Sequence, residues 1–255
     1  MIITSKSNET IKNINKLKQK KFRTEMKKYI AEGKKISYEA LKYQEENIDK
    51  IIVSESFAKK NNIPKGSIII DDDIYMYLTE DKNPEGMLIV LNMPKQREID
   101  YLDDEIIILD DIRDPGNLGT IIRTLDAAGK KQLVLTGESV DPFMPKVVRA
   151  SMGSIFRVNI IEKDLNEIIN ELKENNYQIV GADMNGENVF AISKGKYGII
   201  FGNEANGLDE ETKKALDKTI SIPIAGETES LNLSMSVGII AYEFYRKDNY
   251  GTDIR

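Results

Sequence analysis

From residue 105 onward, short apolar runs alternate with helical segments, and no other feature constrains the fold as strongly. The runs are EIIILDD (105–111), QLVLT (132–136), SIFRVNI (154–160), YQIVGAD (177–183), YGIIFG (197–202) and TISIPI (219–224). They are rich in Ile and Val and lack the in–out alternation of a half-exposed strand. Strands buried on both faces read this way, so the pattern predicts a parallel sheet covered by helices on each side. The helices are expected over NLGTIIRTLDAAG, stopping at Gly129, and over 145–151, 164–175, 208–216 and 231–246. Ile121, Ile122 and Leu125 share the spacing of a core-facing stripe.

The first part of the chain has a looser grammar. A helix fits 8–22, with Ile11, Ile14 and Leu17 on one face, and another fits 33–45, with Ile36, Ala40 and Tyr43 inward. Strands fit 50–54, 67–71 and 87–92. A small α/β domain over 1–92 follows. The polar stretch MPKQREIDYLDD (93–104) is expected as a linker and 105–255 as a second domain. Charge divides along the same line. Residues 1–42 hold 12 Lys and Arg against 4 Asp and Glu, although the whole chain is at −6. A basic end on an acidic body suits a polyanion partner, and a solvated lysine-rich helix accounts for the same run equally well.

Histidine and cysteine are both absent. That excludes Ser-His and Cys-His nucleophiles, His-ligated zinc, thiolate chemistry and disulfides. No carboxylate cluster suggests a magnesium site, so no metal is expected. No run approaches the roughly 18 apolar residues of a membrane span. The segment MIITSKSNETIK lacks a signal-peptide core, so no membrane partner is expected and the cytoplasm is the expected location. Neither GxGxxG after a strand nor GxxxxGK[ST] occurs, which argues against dinucleotide binding and ATP or GTP hydrolysis.

Ligands of open α/β sheets bind beyond the carboxyl ends of the strands. Three loops there are unusual. In DDIRDPGNLGTIIRTLDAAG (110–129), Asn117 is a candidate N-cap, and Arg123 lies one turn beyond Gly119 on the same side. In IIFGNEANGLDEE (199–211), Gly202 ends a strand and Glu204 sits in a loop closed by Gly207. In ISIPIAGETESLNLSMSVG (220–238), Ser230 is a candidate N-cap and Asn232 falls in the first turn. Each loop alone also fits an ordinary capped helix or turn.

Together the loops are more specific. Asn117-x-Gly119-x₃-Arg123, then Gly202-x-Glu204-x₂-Gly207, then Ile222-Pro223-x₂-Gly226 followed by Ser230-Leu231-Asn232-x-Ser234, resembles the three motifs of the SpoU/TrmH branch of the SPOUT methyltransferases. The resemblance covers 105–247 firmly. Residues 1–92 look like the family's ribosomal-protein-like substrate-binding extension. Ala205 departs from the glycine common in relatives. The resemblance implies a deep trefoil knot in the parallel-sheet domain, a homodimer, and S-adenosyl-L-methionine-dependent methylation of a ribose 2′-hydroxyl in RNA. By analogy, 23S rRNA is favoured over tRNA, and a non-catalytic RNA-binding assembly protein of the same fold is the alternative.

Carried over by position, Gly202, Ile222 and Leu231 would meet the cofactor through their backbones. Asn117, Glu204, Ser230 and Asn232 would position the ribose, the loops or Arg123. The family assigns removal of the hydroxyl proton to the arginine, here Arg123. A guanidinium is a poor base, with a pKa above about 12, so phosphate positioning with water taking the proton is an open alternative. Lys16, Lys18, Lys20, Lys21, Arg23, Lys27 and Lys28 would contact RNA phosphates.

Overall fold

The computed structural model describes residues 2–95 and 98–251. In chain order the elements are β1 (Ile2–Ile3), α1 (Glu9–Lys16), α2 (Lys20–Met26), β2 (Lys28–Glu32), α3 (Lys34–Tyr43), β3 (Ile48–Ser54), α4 (Glu55–Lys60), β4 (Ile68–Ile70), α5 (Asp72–Leu78) and β5 (Met87–Asn92). There follow β6 (Glu105–Asp110), α6 (Pro115–Ala127), β7 (Gln132–Thr136), α7 (Pro145–Ala150), β8 (Asn159–Glu162), α8 (Leu165–Glu174), β9 (Gln178–Asn188), β10 (Tyr197–Phe201), α9 (Glu210–Ala215), β11 (Lys218–Ser221) and α10 (Leu233–Tyr250). Contacts divide the chain into two compact units. One is Met1–Lys95 with Asp141–Arg157, and the other is Gln96–Val140 with Val158–Arg255. The segment carrying α7, which a linear reading assigns to the second domain, therefore packs within the first unit.

The first unit holds a mixed sheet in the order β1-β4-β3-β5-β2. β1, β4 and β3 run parallel, and β5 is antiparallel to both its neighbours. Ile11, Ile14 and Leu17 pack with Ile74, Tyr75 and Leu78 of α5 against Ile30, Ile52, Ile70, Leu88 and Val90 of the sheet. Full burial of one such Ile or Leu contributes about 1.5–3 kcal/mol relative to leaving it exposed.

The single helix expected over 8–22 is broken. Arg23 Nη1 donates to the carbonyls of Leu17 and Lys18, each at 2.8 Å, taking the acceptors that a continuing helix would use. The rest of its guanidinium grips Asp141 at 2.9 and 2.6 Å. Arg23→Lys keeps the charge but loses the planar fork, and is expected to lower stability by about 2 kcal/mol. The midpoint of urea denaturation reads this, and an unchanged midpoint would contradict it. Other departures are local. Ser154–Phe156 is a short 3₁₀ turn rather than the start of a strand, entered through Gly153 at φ 94°. Tyr43 is 42% exposed, lying beneath Lys42 and Arg157 rather than in the core. Strands β1 and β2 were not expected.

The second unit holds a wholly parallel sheet in the order β11-β9-β10-β6-β7-β8. This is the architecture read from the apolar runs. Ile106, Ile108, Val134, Ile161, Ile179 and Ile200 form one core with Ile168, Ile169 and Leu172 of α8. Leu118, Ile121, Ile122 and Leu125 of α6 are fully buried, as are Val237, Ile240 and Phe244 of α10 to within 1%. α10 packs against α6 so closely that a Cβ on Gly238 would meet Thr124 Cγ2 at 3.2 Å. β11 lies at the sheet edge, whereas α6 follows β6, three strands inward. The 222–232 segment links the two places.

Candidate active site

The carboxyl ends of β6, β10 and β11 each open into one of the three unusual loops. In the first, Asp114 caps α6, with its carboxylate accepting from Asn117 N at 2.7 Å, and Pro115 takes the first helical position. Asn117 is therefore not the cap. It stands a turn inside the helix, and its amide is free to reach outward. Arg113 pairs with Asp111 at 2.5 Å, and Asp111 itself sits at φ 55°.

The second loop is closed on itself by Asn203. Its side chain donates to the Asp111 carbonyl at 2.8 Å and accepts from Ala205 N at 2.9 Å, while its own carbonyl accepts from Gly207 N at 2.8 Å. A Cβ on Gly202 would lie 2.2 Å from the Gly207 carbonyl oxygen, so the loop turns back on a position only glycine can fill. Glu204 points across to the first loop. It accepts from Arg113 N and Asp114 N, both at 3.3 Å, and from Asn117 Nδ2 at 3.2 Å.

In the third loop Asn232, not Ser230, caps α10, accepting from Ser234 N at 2.9 Å and Ser234 Oγ at 2.6 Å. Its Nδ2 donates to Asn117 Oδ1 at 3.1 Å. Asn117 thus receives from Asn232 and gives to Glu204, a polarity that fixes its amide orientation. Three loops distant in sequence are stitched by one line of hydrogen bonds, Glu204–Asn117–Asn232.

The charges around this line are graded. Burial pushes the Asp110 carboxyl above the usual carboxylate range, and Asp209 and Asp111 push it further; the Thr136 hydroxyl, at 2.6 Å, pulls the other way. Asp209 caps α9, and the bond from Thr212 N at 2.6 Å holds its carboxyl below that range. The remaining residues expected at the site lie beside the network. Arg123 is exposed on α6 and joins none of these bonds. Ser230 is exposed, and its carbonyl accepts from the Thr228 hydroxyl at 3.1 Å. Leu231 is 37% exposed and Ile222 is half-buried. Among the described residues, no backbone group of 223–231 has a backbone partner, so apart from the Ser230 carbonyl its amides and carbonyls are open to a ligand or water. Asn203, Asp114 and Asp111 were missed by sequence reasoning. The Asx tendency of Asn203 beside a strand-ending glycine was the available signal.

Of the basic residues expected on RNA, Lys16, Lys20, Lys21 and Lys27 are exposed. Lys18 donates to the Tyr77 carbonyl at 2.9 Å, and Lys28 pairs with Asp49 at 2.7 Å. Arg23 is a correction. At 2% exposure, with its guanidinium spent on Asp141 and two carbonyls, it cannot serve as a phosphate contact. Among the described residues no His, Cys, Asp and Glu group could hold a metal ion, and no helix is long and apolar enough to cross a membrane.

A model of the SpoU rRNA Methylase family matches residues 104–242, the stretch that carries all three loops. The chain belongs to the SpoU family. Residues 8–89 match a second model, the MRM3-like substrate binding domain. Over 94% of its length this SpoU-family chain is 30% identical to the 23S rRNA (guanosine(2553)-2′-O)-methyltransferase RlmP of Bacillus subtilis (strain 168), covering 97% of that protein. Its fold is similar to that of an AdoMet-bound rRNA methyltransferase from Sinorhizobium meliloti, with TM-score 0.82, 30% identity and 98% of each chain covered. It is also similar to the SpoU methyltransferase AviRb of Streptomyces viridochromogenes in complex with AdoMet. There the TM-score is 0.83 and the identity 25%, over 96% of this chain and 99% of that one.

Proposed function

We propose that this chain transfers the methyl group of S-adenosylmethionine to a ribose 2′-hydroxyl of 23S rRNA in the cytoplasm, with 1–92 gripping the RNA and 105–255 doing the chemistry. The observation that carries this reading is the Glu204–Asn117–Asn232 line, which draws the three motif loops together at the carboxyl ends of a parallel sheet. The cofactor fits the residues present. The backbone of 223–231, which has no backbone partner among the described residues, offers donors and acceptors for its polar groups, and Ile222, Ile224 and Leu231 offer apolar surface for its base. Gly202, Ile222 and Leu231 would hold it. When bound, its sulfonium supplies an electrophilic methyl group without help from the protein.

What this chain adds is alignment and charge. Glu204 and Asn232 fix Asn117, and this line sets the rim of the first loop. Arg123 serves the target hydroxyl in one of two ways: it engages the neighbouring phosphate and stabilises charge while water takes the proton, or it takes the proton itself. Ser230, exposed beside the α10 cap, would position the nucleotide and the third loop by hydrogen bonds. Incubating the protein with tritiated S-adenosylmethionine and 23S rRNA, then mapping 2′-O-methyl positions, tests the reading. Label in rRNA ribose is the expected result. Label in tRNA alone would replace the substrate, and none in either would leave a non-catalytic RNA-binding protein.

Two architectural features belong to the same reading. The first is a homodimer joined through α10, where Met235 and Tyr242, seven residues apart on one face, are 58% and 45% exposed. Met235→Glu with Tyr242→Glu is expected to yield a monomer in analytical ultracentrifugation, and an unchanged mass would exclude that face. The second is a knot, made by threading the 222–232 segment on its way from β11 to α10. Single-molecule stretching of the unfolded chain should then stop short of the contour length of an open chain, and full extension would rule the knot out.

A further inference from the structure

Two part-exposed aromatic rings flank the turn between α1 and α2, and lysines crowd both of them. Tyr77, from α5, is 37% exposed. Its hydroxyl accepts from Asn15 Nδ2 at 3.0 Å, and the Lys6 and Lys18 ammonium groups lie 5.0 and 5.7 Å from its ring centre. Phe22, from α2, has Lys16 and Lys21 at 5.6 and 5.9 Å. Cations at such distances are drawn to the ring face. Several other basic residues of this unit find carboxylates: Lys28 has Asp49, Lys59 has Glu55, Arg23 has Asp141 and Arg149 has Glu32. Among the described ion pairs none involves Lys6, Lys16, Lys18 or Lys21.

We infer that this surface seats unstacked nucleotides of the substrate RNA, with bases stacking on Tyr77 and Phe22 and the four lysines taking the flanking phosphates. The inference rests on the proposed RNA substrate and narrows it to a loop, bulge or single strand. Lys18 is drawn to the Glu32 carboxylate, but Lys6, Lys16 and Lys21 have no acidic partner among the described ion pairs, so a polyanion is the complementary partner. The rings choose among polyanions. A base pair inside a helix hides its faces in the stack, and the deep major groove of A-form RNA is closed to side chains, whereas a splayed base offers its face to any aromatic ring. Asn15 holds Tyr77 by its hydroxyl and Lys18 holds its carbonyl, so the platform is positioned before RNA arrives.

The test is fluorescence anisotropy of the full-length protein with a labelled oligouridine and with a duplex of equal phosphate count, over a series of salt concentrations. Tyr77→Ala is expected to weaken oligouridine binding by about ten-fold or more without changing the salt slope, and to leave the duplex unaffected. Tyr77→Phe, which keeps the ring but loses the bond from Asn15, should weaken binding far less than Tyr77→Ala. Lys16→Gln combined with Lys21→Gln should instead lower the single-strand salt slope by about 1.4. Oligouridine binding unchanged by Tyr77→Ala, or an equal loss for the duplex, overturns the inference. Should Tyr77→Ala fail to fold, 5-iodouridine photocrosslinking to the wild-type protein decides. Adducts on peptides containing Tyr77 or Phe22 support the inference, and adducts confined elsewhere overturn it. Methyl transfer to 23S rRNA is read separately. Transfer alongside unchanged Tyr77→Ala binding defeats only this inference, while no transfer defeats only the proposed activity.

Discussion

Arg123→Ala is expected to lower the rate of methyl transfer by about a thousand-fold, the scale of losing one charged group aimed at a reacting centre. Arg123 is exposed on α6 and outside the Glu204–Asn117–Asn232 line, and its neighbours Ile121, Ile122 and Leu125 carry the packing of the helix. Its removal should leave the thermal midpoint and calorimetric binding of S-adenosylmethionine close to wild type. Arg123→Lys separates the two roles open to the arginine. A lysine keeps the charge but cannot form the planar fork with a phosphate. If Arg123 positions the phosphate, the lysine variant recovers part of the rate and the pH dependence of the rate keeps its shape. If Arg123 itself takes the proton, the lysine variant moves the alkaline limb of that profile. Activity of Arg123→Ala within a few-fold of wild type would remove Arg123 from the site altogether.

What could be read beforehand follows from how local each signal is. The six apolar runs specify a parallel sheet because burial on both faces leaves its mark in every strand, whatever the strand order. Strand order is a matter of long-range register, so β11 pairing on β9 with a bulge between Thr219 and Ile220 was not legible. Nor was the bond from Asn232 to Asn117, which joins positions far apart in the chain. The capping errors have one cause. Asn117 and Ser230 are good cap residues, but Asp114 and Asn232 are also good ones nearby, and the backbone decides among them. In the first unit, β2 was missed because KYIAE has a lysine and a glutamate at its ends, yet Tyr29, Ile30 and Ala31 are all buried. Arg23 was misplaced for the opposite reason. Set in a run of surface lysines, it looks like one more phosphate contact, and only the position of Asp141, more than a hundred residues later, turns it into a buried pair.

Gly202→Ala is expected to be the most damaging single methyl group in the second unit. The added Cβ would stand 2.2 Å from the Gly207 oxygen, 2.3 Å from its carbonyl carbon and 2.5 Å from Leu208 N. All three are backbone atoms, so no side chain can rotate away. The loop would have to open, breaking the bond from Gly207 N to the Asn203 carbonyl and pulling on Leu208, which is 4% exposed in the core. Overpacking of this kind costs about 3 kcal/mol where the surroundings cannot yield. The functional effect is larger than the loss of stability alone implies. Moving Asn203 and Glu204 releases the Asp111 carbonyl and the Asn117 amide together, so the rim and the proposed cofactor cradle are lost in one step. Calorimetry should find S-adenosylmethionine bound at least about a hundred-fold more weakly, or not at all. Gly226→Ala is the matched control, because nothing lies within 4 Å of a Cβ there and the 223–231 backbone stays available. Wild-type affinity in Gly202→Ala, or an equal loss in both variants, would show that the turn at Gly202 does not shape the binding site.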